Sequence, residues 1–163
     1  MRLRKLEIKD ALLMLEWMHD PFVVENMQAN FVEKTIDDCE RFILSAQKTT
    51  DDIHLAIVDE NDVYMGTVSL KHINNKSAEF AITVRRTAMG KGFSKFGMAE
   101  IIRVGLEKLK LDKIYWCVNP VNKRAVRFYD KNNYQRVSPD ELNITGYSRE
   151  QIRDYYWYEV NKD

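Results

Sequence analysis

The chain has 163 residues, 45% apolar and 31% charged, and its 25 basic and 25 acidic side chains cancel. That length suits one domain with a buried core, and zero net charge supplies no broad field to hold nucleic acid or an anionic membrane. Two cysteines, Cys39 and Cys117, make neither a disulfide framework nor a zinc site, and no segment approaches the ~18 apolar residues of a membrane span.

The N-terminus, Met1-Arg2-Leu3-Arg4-Lys5-Leu6-Glu7, lacks the apolar run of a signal peptide, so a cytoplasmic protein is expected. Leu3, Leu6 and Ile8 mark a first strand ending near Asp10, which is placed to cap the next helix. Leu12, Leu13, Leu15 and Met18 suit a short helix broken at His19-Asp20-Pro21, because proline lacks the N–H that a helix needs. Phe22 to Phe31 reads as irregular. Thr35 opens a second helix with Asp37 and Asp38 at its positive end, and Ile36, Cys39, Phe42, Ile43 and Ala46 follow helical spacing.

Three strands follow, over residues 53–58, 63–70 and 76–84, with turns at Asp59 to Asp62 and at Asn74-Asn75. Their close spacing predicts an antiparallel meander. Met89-Gly90-Lys91-Gly92-Phe93 is then a glycine loop before a helix over 94–109. A strand over 113–118, a helix over 122–131 and strands over 134–137 and 155–160 complete the chain. The order is that of a mixed α/β domain in one piece, residues 1–163, with about four helices.

A strand, then Gly90-Lys91-Gly92, then a helix, is a recipe for an anion site. Glycines let the backbone come close to a ligand, and the first N–H groups of the helix lack internal partners. Arg85, Arg86, Lys91 and Lys95 add local positive charge, and a diphosphate fits such a place. The same residues equally suit a plain strand-to-helix turn with a solvated basic rim. Further on, Asn122, Ala125, Val126 and Tyr129 stand at steps of 0, 3, 4 and 7 and share one helix face. An amide there can hold a ligand's amides, and a phenol can protonate a leaving thiolate. The alternative is that Asn122 caps the helix and Tyr129 packs in the core.

Together these stretches resemble a known family. Ala78-Glu79-Phe80-Ala81-Ile82-Thr83-Val84 with Met89 to Ser94 resembles the fourth strand and acetyl-CoA loop of GNAT N-acetyltransferases. Asn122 to Lys131 resembles the family's later NxxA…FY-x-K helix. Leu15 to Pro21 is similar to the first helix of the branch with ribosomal-protein, polyamine and nucleotide-amino-sugar acetyltransferases. The chain departs from the family at Thr87, at Arg85-Arg86 and at Asn133-Tyr134; Asn tolerates the left-handed conformation that ends a helix.

The resemblance implies a mixed, mostly antiparallel seven-stranded sheet splayed between its fourth and fifth strands, with acetyl-CoA in the gap and no metal. Pantetheine pairs with backbone at Ile82 and Val84, as an added strand would. The pyrophosphate rests on N–H groups of Met89, Gly90, Lys91, Gly92, Phe93 and Ser94, and Asn122 contacts the cofactor. Amine attack on the thioester is direct, in a ternary complex. Tyr129 is the general acid, and Glu79 is the candidate general base, or binds substrate or orients water. Backbone amides near residues 82–84 polarise the carbonyl.

Trp17, Phe22, Met27 and Phe31 wall the acceptor side in this family, while Tyr147, Tyr155 and Trp157 are placed to close the other; small satellite cores are the alternative in both cases. The expected acceptor is an amino-sugar nucleotide or a polyamine, with a protein or peptide N-terminus as the alternative enzyme substrate. A non-enzymatic acetyl-CoA-binding regulatory module is the third reading. A polyamine calls for acidic groups such as Glu33, Asp37 and Asp38, and a nucleotide sugar for basic and aromatic ones. His19, His54 and His72 read as ordinary surface or loop residues, and Cys117 as packing. The chain is expected to be a monomer or a homodimer that pairs through its C-terminal strand.

Overall fold

The computed structural model of the chain describes every residue except Asn75, Asn143 and Thr145, so the expected Asn74-Asn75 turn lies partly outside the described residues. Strands β1 (Arg2–Lys5), β2 (Ile53–Val58), β3 (Tyr64–Lys71), β4 (Ser77–Val84), β5 (Lys113–Val118), β6 (Gln135–Val137) and β7 (Tyr156–Asn161) form one sheet. Their order is β1-β2-β3-β4-β5-β7-β6. Every neighbouring pair is antiparallel except β4 and β5, which are parallel. The expected mixed seven-stranded sheet is therefore present.

Among the described residues the α-helices are α1 (Ala11–Met18), α2 (Pro21–Val24), α3 (Ile36–Ala46), α4 (Phe93–Arg103), α5 (Lys123–Lys131) and α6 (Arg149–Asp154), two more than expected. The additions are the short α2 and α6, whose few turns are too brief to show apolar periodicity. Pro21 ends α1 and also starts α2, because its missing N–H is not needed in a first turn; Asp20 caps that turn, accepting from the Phe22 N–H at 3.0 Å. Ser148 and Gln151 form a capping box on α6. Thr35 and Asp38 do the same on α3, as its sequence suggests.

Asp10 does not cap α1. Its carboxylate is almost wholly buried and accepts two hydrogen bonds from Arg4, at 2.7 and 2.8 Å, and one from the Glu7 N–H at 2.9 Å. A buried carboxylate needs a full set of donors, and a guanidinium fork outcompetes a helix end. The long helix expected to Leu109 is α-helical to Arg103 and continues as a π-helical turn over Val104–Lys108, where Gly105 sits against Ile114.

Side chains alternate across a strand, so each sheet face carries its own core. Phe80 and Val84 pack with Met98, Ile101, Trp116 and Tyr129 beneath α4 and α5. Ala56, Val58 and Tyr64 pack with Leu6, Met14, Trp17, Cys39 and Ile43 beneath α1 and α3.

The β3–β4 ladder runs its full length, from Gly66↔Val84 to Lys71↔Glu79. The β4–β5 ladder holds only Ser77↔Lys113, Ala78↔Ile114 and Glu79↔Tyr115. From Phe80 and Trp116 onward the two strands part, and the sheet opens there.

Two glycines report how tightly the strand beside this opening is held. A Cβ at Gly66 meets the Thr83 carbonyl oxygen at 2.4 Å, a backbone atom that cannot turn aside. A Cβ at Gly97 of α4 meets the tip of Ile57 at the same distance, and that tip can rotate. Gly66→Ala is expected to cost about 1–3 kcal/mol, the range for overpacking, and Gly97→Ala less. Urea unfolding of both variants checks the order; Gly97→Ala as the more damaging change would contradict the packing described.

Candidate active site

Arg85 donates its backbone N–H to the Met65 carbonyl at 2.9 Å, across to β3. Backbone groups alternate sides along a strand, so Phe80, Ile82 and Val84 turn their N–H and C=O toward the opening. Nothing in β5 pairs with them beyond Glu79. A cavity of about 430 Å³ lies along this edge, lined by Ile82, Thr83, Val84, Met89, Gly90, Gly92, Ser94 and Lys95 on one side. Asn122, Arg124, Ala125, Phe128 and Tyr129 line the other side, and Val23 and Met27 lie over it.

Gly90 and Gly92 take φ of +73° and +87°, and Gly92 is the left-handed N-cap of α4. No side chain caps that end. The first i→i−4 bond of α4 runs from the Phe96 N–H to the Gly92 carbonyl at 3.0 Å, which leaves the N–H groups of Phe93, Ser94 and Lys95 ahead of the ladder. A Cβ built on Gly90 meets nothing within 4 Å. The loop is therefore open toward the cavity and electropositive at its backbone, as an anion requires.

Tyr129 stands where β4 and β5 part. Its ring lies among Trp116, Tyr158, Phe128 and Tyr134 at centroid distances of 5.0 to 6.4 Å. Burial first, then neighbouring phenols and Cys117, push its hydroxyl well above the usual tyrosine range, so it stays protonated. Among the described residues its hydroxyl has no hydrogen-bond partner. The nearby Trp116 indole N–H is buried and also unpartnered among them. Asn122 caps α5, its oxygen accepting from the Ala125 N–H at 3.2 Å, and the residue lines the cavity.

A second cavity, of about 310 Å³, opens on the other face of the sheet. Met14, Trp17, Met18, Phe31 and Phe42 make its apolar wall, and Thr67, Ser69, Ala81 and Thr83 its floor, with His54, Lys34 and Asp38 around it. Ile82 and Thr83 line both cavities, so only the width of β4 separates them there. Two ligands, one on each face, could meet at that point.

Of the residues singled out in the sequence, Ile82, Val84, Met89, Gly90, Gly92, Ser94, Asn122 and Tyr129 come together in the first cavity. Lys91 and Phe93 do not line it; Phe93 is buried in the core. Trp17 and Phe31 wall the second cavity, in an edge contact at 5.1 Å, whereas Met27 lines the first. Phe22 lines neither. It is exposed, with the Arg86 and Arg124 guanidinium groups over its ring at 4.5 and 4.8 Å.

Glu79 is buried one register step before the opening and lines neither cavity. It accepts a short hydrogen bond from the Tyr147 hydroxyl, with Lys71 at 3.7 Å and His72 at 3.5 Å. Tyr147 stands edge-on to Trp157 at 5.1 Å. Cys117 is only half-buried, and that burial pushes its thiol up to about 11. Sequence reasoning missed Phe42, Thr67, Ser69 and Ala81, and it placed His54 on the surface. His54 is instead a β2 residue at the second cavity, its side chain 11% exposed. The polar pair Thr67 and Ser69, two apart in an otherwise apolar strand, was the available signal.

The family profile described as an acetyltransferase (GNAT) domain matches residues 1–135. An uncharacterised N-acetyltransferase p20 of Bacillus licheniformis is 28% identical over 145 residues, covering 82% of this chain and 78% of that one. Acetyltransferase PseH of Campylobacter jejuni is 20% identical over 137 residues, covering 84% of each. The spermidine N-acetyltransferase of Vibrio cholerae, solved with CoA and spermine, superposes with a TM-score of 0.80 at 22% identity, over 99% of this chain and 95% of that one.

Gly90→Val fills the open side of the loop and forces a β-branched residue to positive φ. It is expected to weaken acetyl-CoA binding at least about tenfold, equivalent to ~1.4 kcal/mol, with little change in far-UV circular dichroism. Calorimetric titration with acetyl-CoA reads this directly, and wild-type affinity in the variant would remove the loop from the site.

Proposed function

The chain belongs to the GNAT acetyltransferase family, whose acetyl donor is acetyl-CoA, and we propose that it transfers the acetyl group to the primary amine of a small molecule with a flat or apolar body, an amino sugar on a nucleotide before a polyamine. Support for the donor's place comes from the free edge of β4, which offers Ile82 and Val84 to the amides of pantetheine. The α4 N-terminus offers its N–H groups to the diphosphate. Tyr129 is then the acid for the departing thiolate. A protonated phenol at the apex is suited to that step, because it offers the sulfur a hydrogen bond as charge develops there and passes on a proton that the attacking nitrogen replaces.

The observation that carries the choice of acceptor is the wall of the second cavity. Trp17, Phe31 and Phe42 with Met14 and Met18 suit the face of a sugar or base. Among its lining residues only Asp38 is a carboxylate. It is held at about 2, first by the Thr35 backbone N–H and then by Arg41, so its charge is already balanced. Glu33 and Asp37 are exposed and outside the lining. A polycation would need more. Asp38 nevertheless keeps a polyamine as the second reading. Glu79 is assigned to holding Tyr147 beside the cavity floor, two residues along β4 from Ala81 on the same face.

Thiol release from acetyl-CoA with spermidine, glucosamine, UDP-glucosamine and an N-terminal peptide tests this reading. UDP-glucosamine is expected to turn over fastest. Tyr129→Phe is expected to lower kcat by about 10²–10⁴ with acetyl-CoA affinity unchanged. Ala81→Leu, which grows into the second cavity, raises the acceptor KM and leaves acetyl-CoA binding alone. Asp38→Asn should shift the acceptor KM less than about fivefold, the scale of an exposed ion pair. Preference for spermidine with a larger Asp38 effect would hand the site to polyamines.

A further inference from the structure

The acceptor amine reaches the enzyme as an ammonium and must lose a proton before it can attack. We propose that Ser69, His54 and Asp52 form the relay that takes this proton, with Ser69 the group that touches the amine. The assignment rests on the second cavity being the acceptor site.

Ser69 and His54 face each other directly across the β2–β3 ladder, and Ser69 faces Ala81 across β3–β4. Both polar side chains line the second cavity. Ser69 is buried, so its hydroxyl needs a partner, and that partner is His54 Nδ1 at 2.7 Å. The other ring nitrogen, Nε2, lies 3.8 Å from Asp52 Oδ2. Asp52 is fixed from its other oxygen, which accepts the His72 backbone N–H at 2.8 Å.

A carboxylate beside Nε2 favours the tautomer with its proton there, which leaves the Nδ1 lone pair to accept from the Ser69 hydroxyl. The order is hydroxyl, imidazole, carboxylate: the logic of a catalytic triad with the ring nitrogens exchanged. Here the hydroxyl passes a proton on and forms no bond to the acetyl group.

The charges around the imidazole keep it ready to accept. Burial lowers its pKa below the ordinary histidine value; Asp52 opposes this and Lys71 adds to it. Phe42 packs edge-on to the ring at 4.9 Å from α3, and Lys34 and Asp38 stand at the cavity wall. His54 is therefore neutral at pH 7, as a base must be. Asp38 is committed to Thr35 and Arg41.

The proton count closes. The ammonium gives one proton to Ser69 Oγ as the Ser69 proton moves to His54 Nδ1, and the imidazolium beside half-exposed Asp52 discharges to solvent. The neutral amine attacks the thioester carbon, forming the C–N bond. The tetrahedral intermediate collapses with cleavage of C–S. The second nitrogen proton balances the one Tyr129 gives to the thiolate, so one proton is released per turnover.

The test compares two kinds of acceptor at saturating acetyl-CoA. One is the fastest of spermidine, glucosamine and UDP-glucosamine, assayed at a pH where its amine is protonated and hydroxylamine is not. The other is hydroxylamine, already mostly uncharged at neutral pH and in no need of a base. His54→Gln and Ser69→Ala are expected to lower kcat for the charged amine about 10²-fold and for hydroxylamine by less than about threefold. Both should abolish the acidic limb of the wild-type pH profile, which lies below the ordinary histidine range, and Ser69→Thr should retain it. Equal losses with both acceptors would mean a structural role only, and wild-type kcat in His54→Gln with the limb intact would overturn the relay. Ala81→Leu separates the two readings. If it leaves the acceptor KM unchanged, or if no amine turns over, the acceptor site itself is misassigned and the relay falls with it. If it raises that KM while His54→Gln has no effect, the relay alone is wrong.

Discussion

The early end of the β4–β5 ladder is the constraint on which the site depends. Three residue pairs join the strands, and then they part. The parting is held open by aromatic bulk. Trp116 is the first residue of β5 without a β4 partner, and it stacks on Tyr158 of β7 at 5.6 Å and meets Phe80 of β4 edge-on at 5.3 Å. Tyr129 fills the same wedge from α5. Closing the ladder would require these buried rings to leave a packed core, at several kcal/mol for each large side chain lost. Backbone groups of β4 are left without a strand partner, and a ligand with amides of its own supplies what the ladder would have given.

The two-sidedness of the site follows from the same geometry. A strand presents side chains to both faces and backbone to its edge. β4 thus offers an edge to one ligand and the Ala81 and Thr83 face to another. Their meeting point at Ile82 and Thr83 needs no loop to build it. The flanking helices are divided accordingly, with α4 and α5 on the side of the first cavity and α1 and α3 on the side of the second. Phe22, with the Arg86 and Arg124 guanidinium groups over its ring, joins α2 to α5 beside the first cavity.

Much of the first cavity was legible in the sequence because it is built locally. Positive φ at Gly90 and Gly92 demands glycine, and the face of α5 follows from helical spacing. The second cavity was not, because it assembles alternate residues of three strands with two helices. His54 illustrates the limit. Nothing at its own position distinguishes it from a surface histidine, and its place becomes visible only when the β2–β3 register sets it opposite Ser69. Lys91 and Phe93 show what a motif leaves unsaid: a helix start turns successive side chains to different sides, and the Phe93 ring goes into the core while its N–H stays ahead of the helix ladder. Asp10 was misread as a cap because a helix boundary was visible in the sequence and a buried Arg4 was not.

The proposed donor site is made largely of backbone and the proposed acceptor site of side chains, and the two answer to different pressures. Backbone N–H groups survive almost any substitution that keeps the strand, the two glycines and the helix start. The acceptor cavity has no such protection. One changed residue among Trp17, Phe31, Phe42 or Asp38 alters its wall or charge without disturbing the sheet, so its preference can drift while the fold stays fixed. The proton relay would stand between these cases: its hydroxyl and imidazole are side chains, but the register of β2, β3 and β4 sets their spacing. A change of acceptor body can then leave the step that every amine shares untouched.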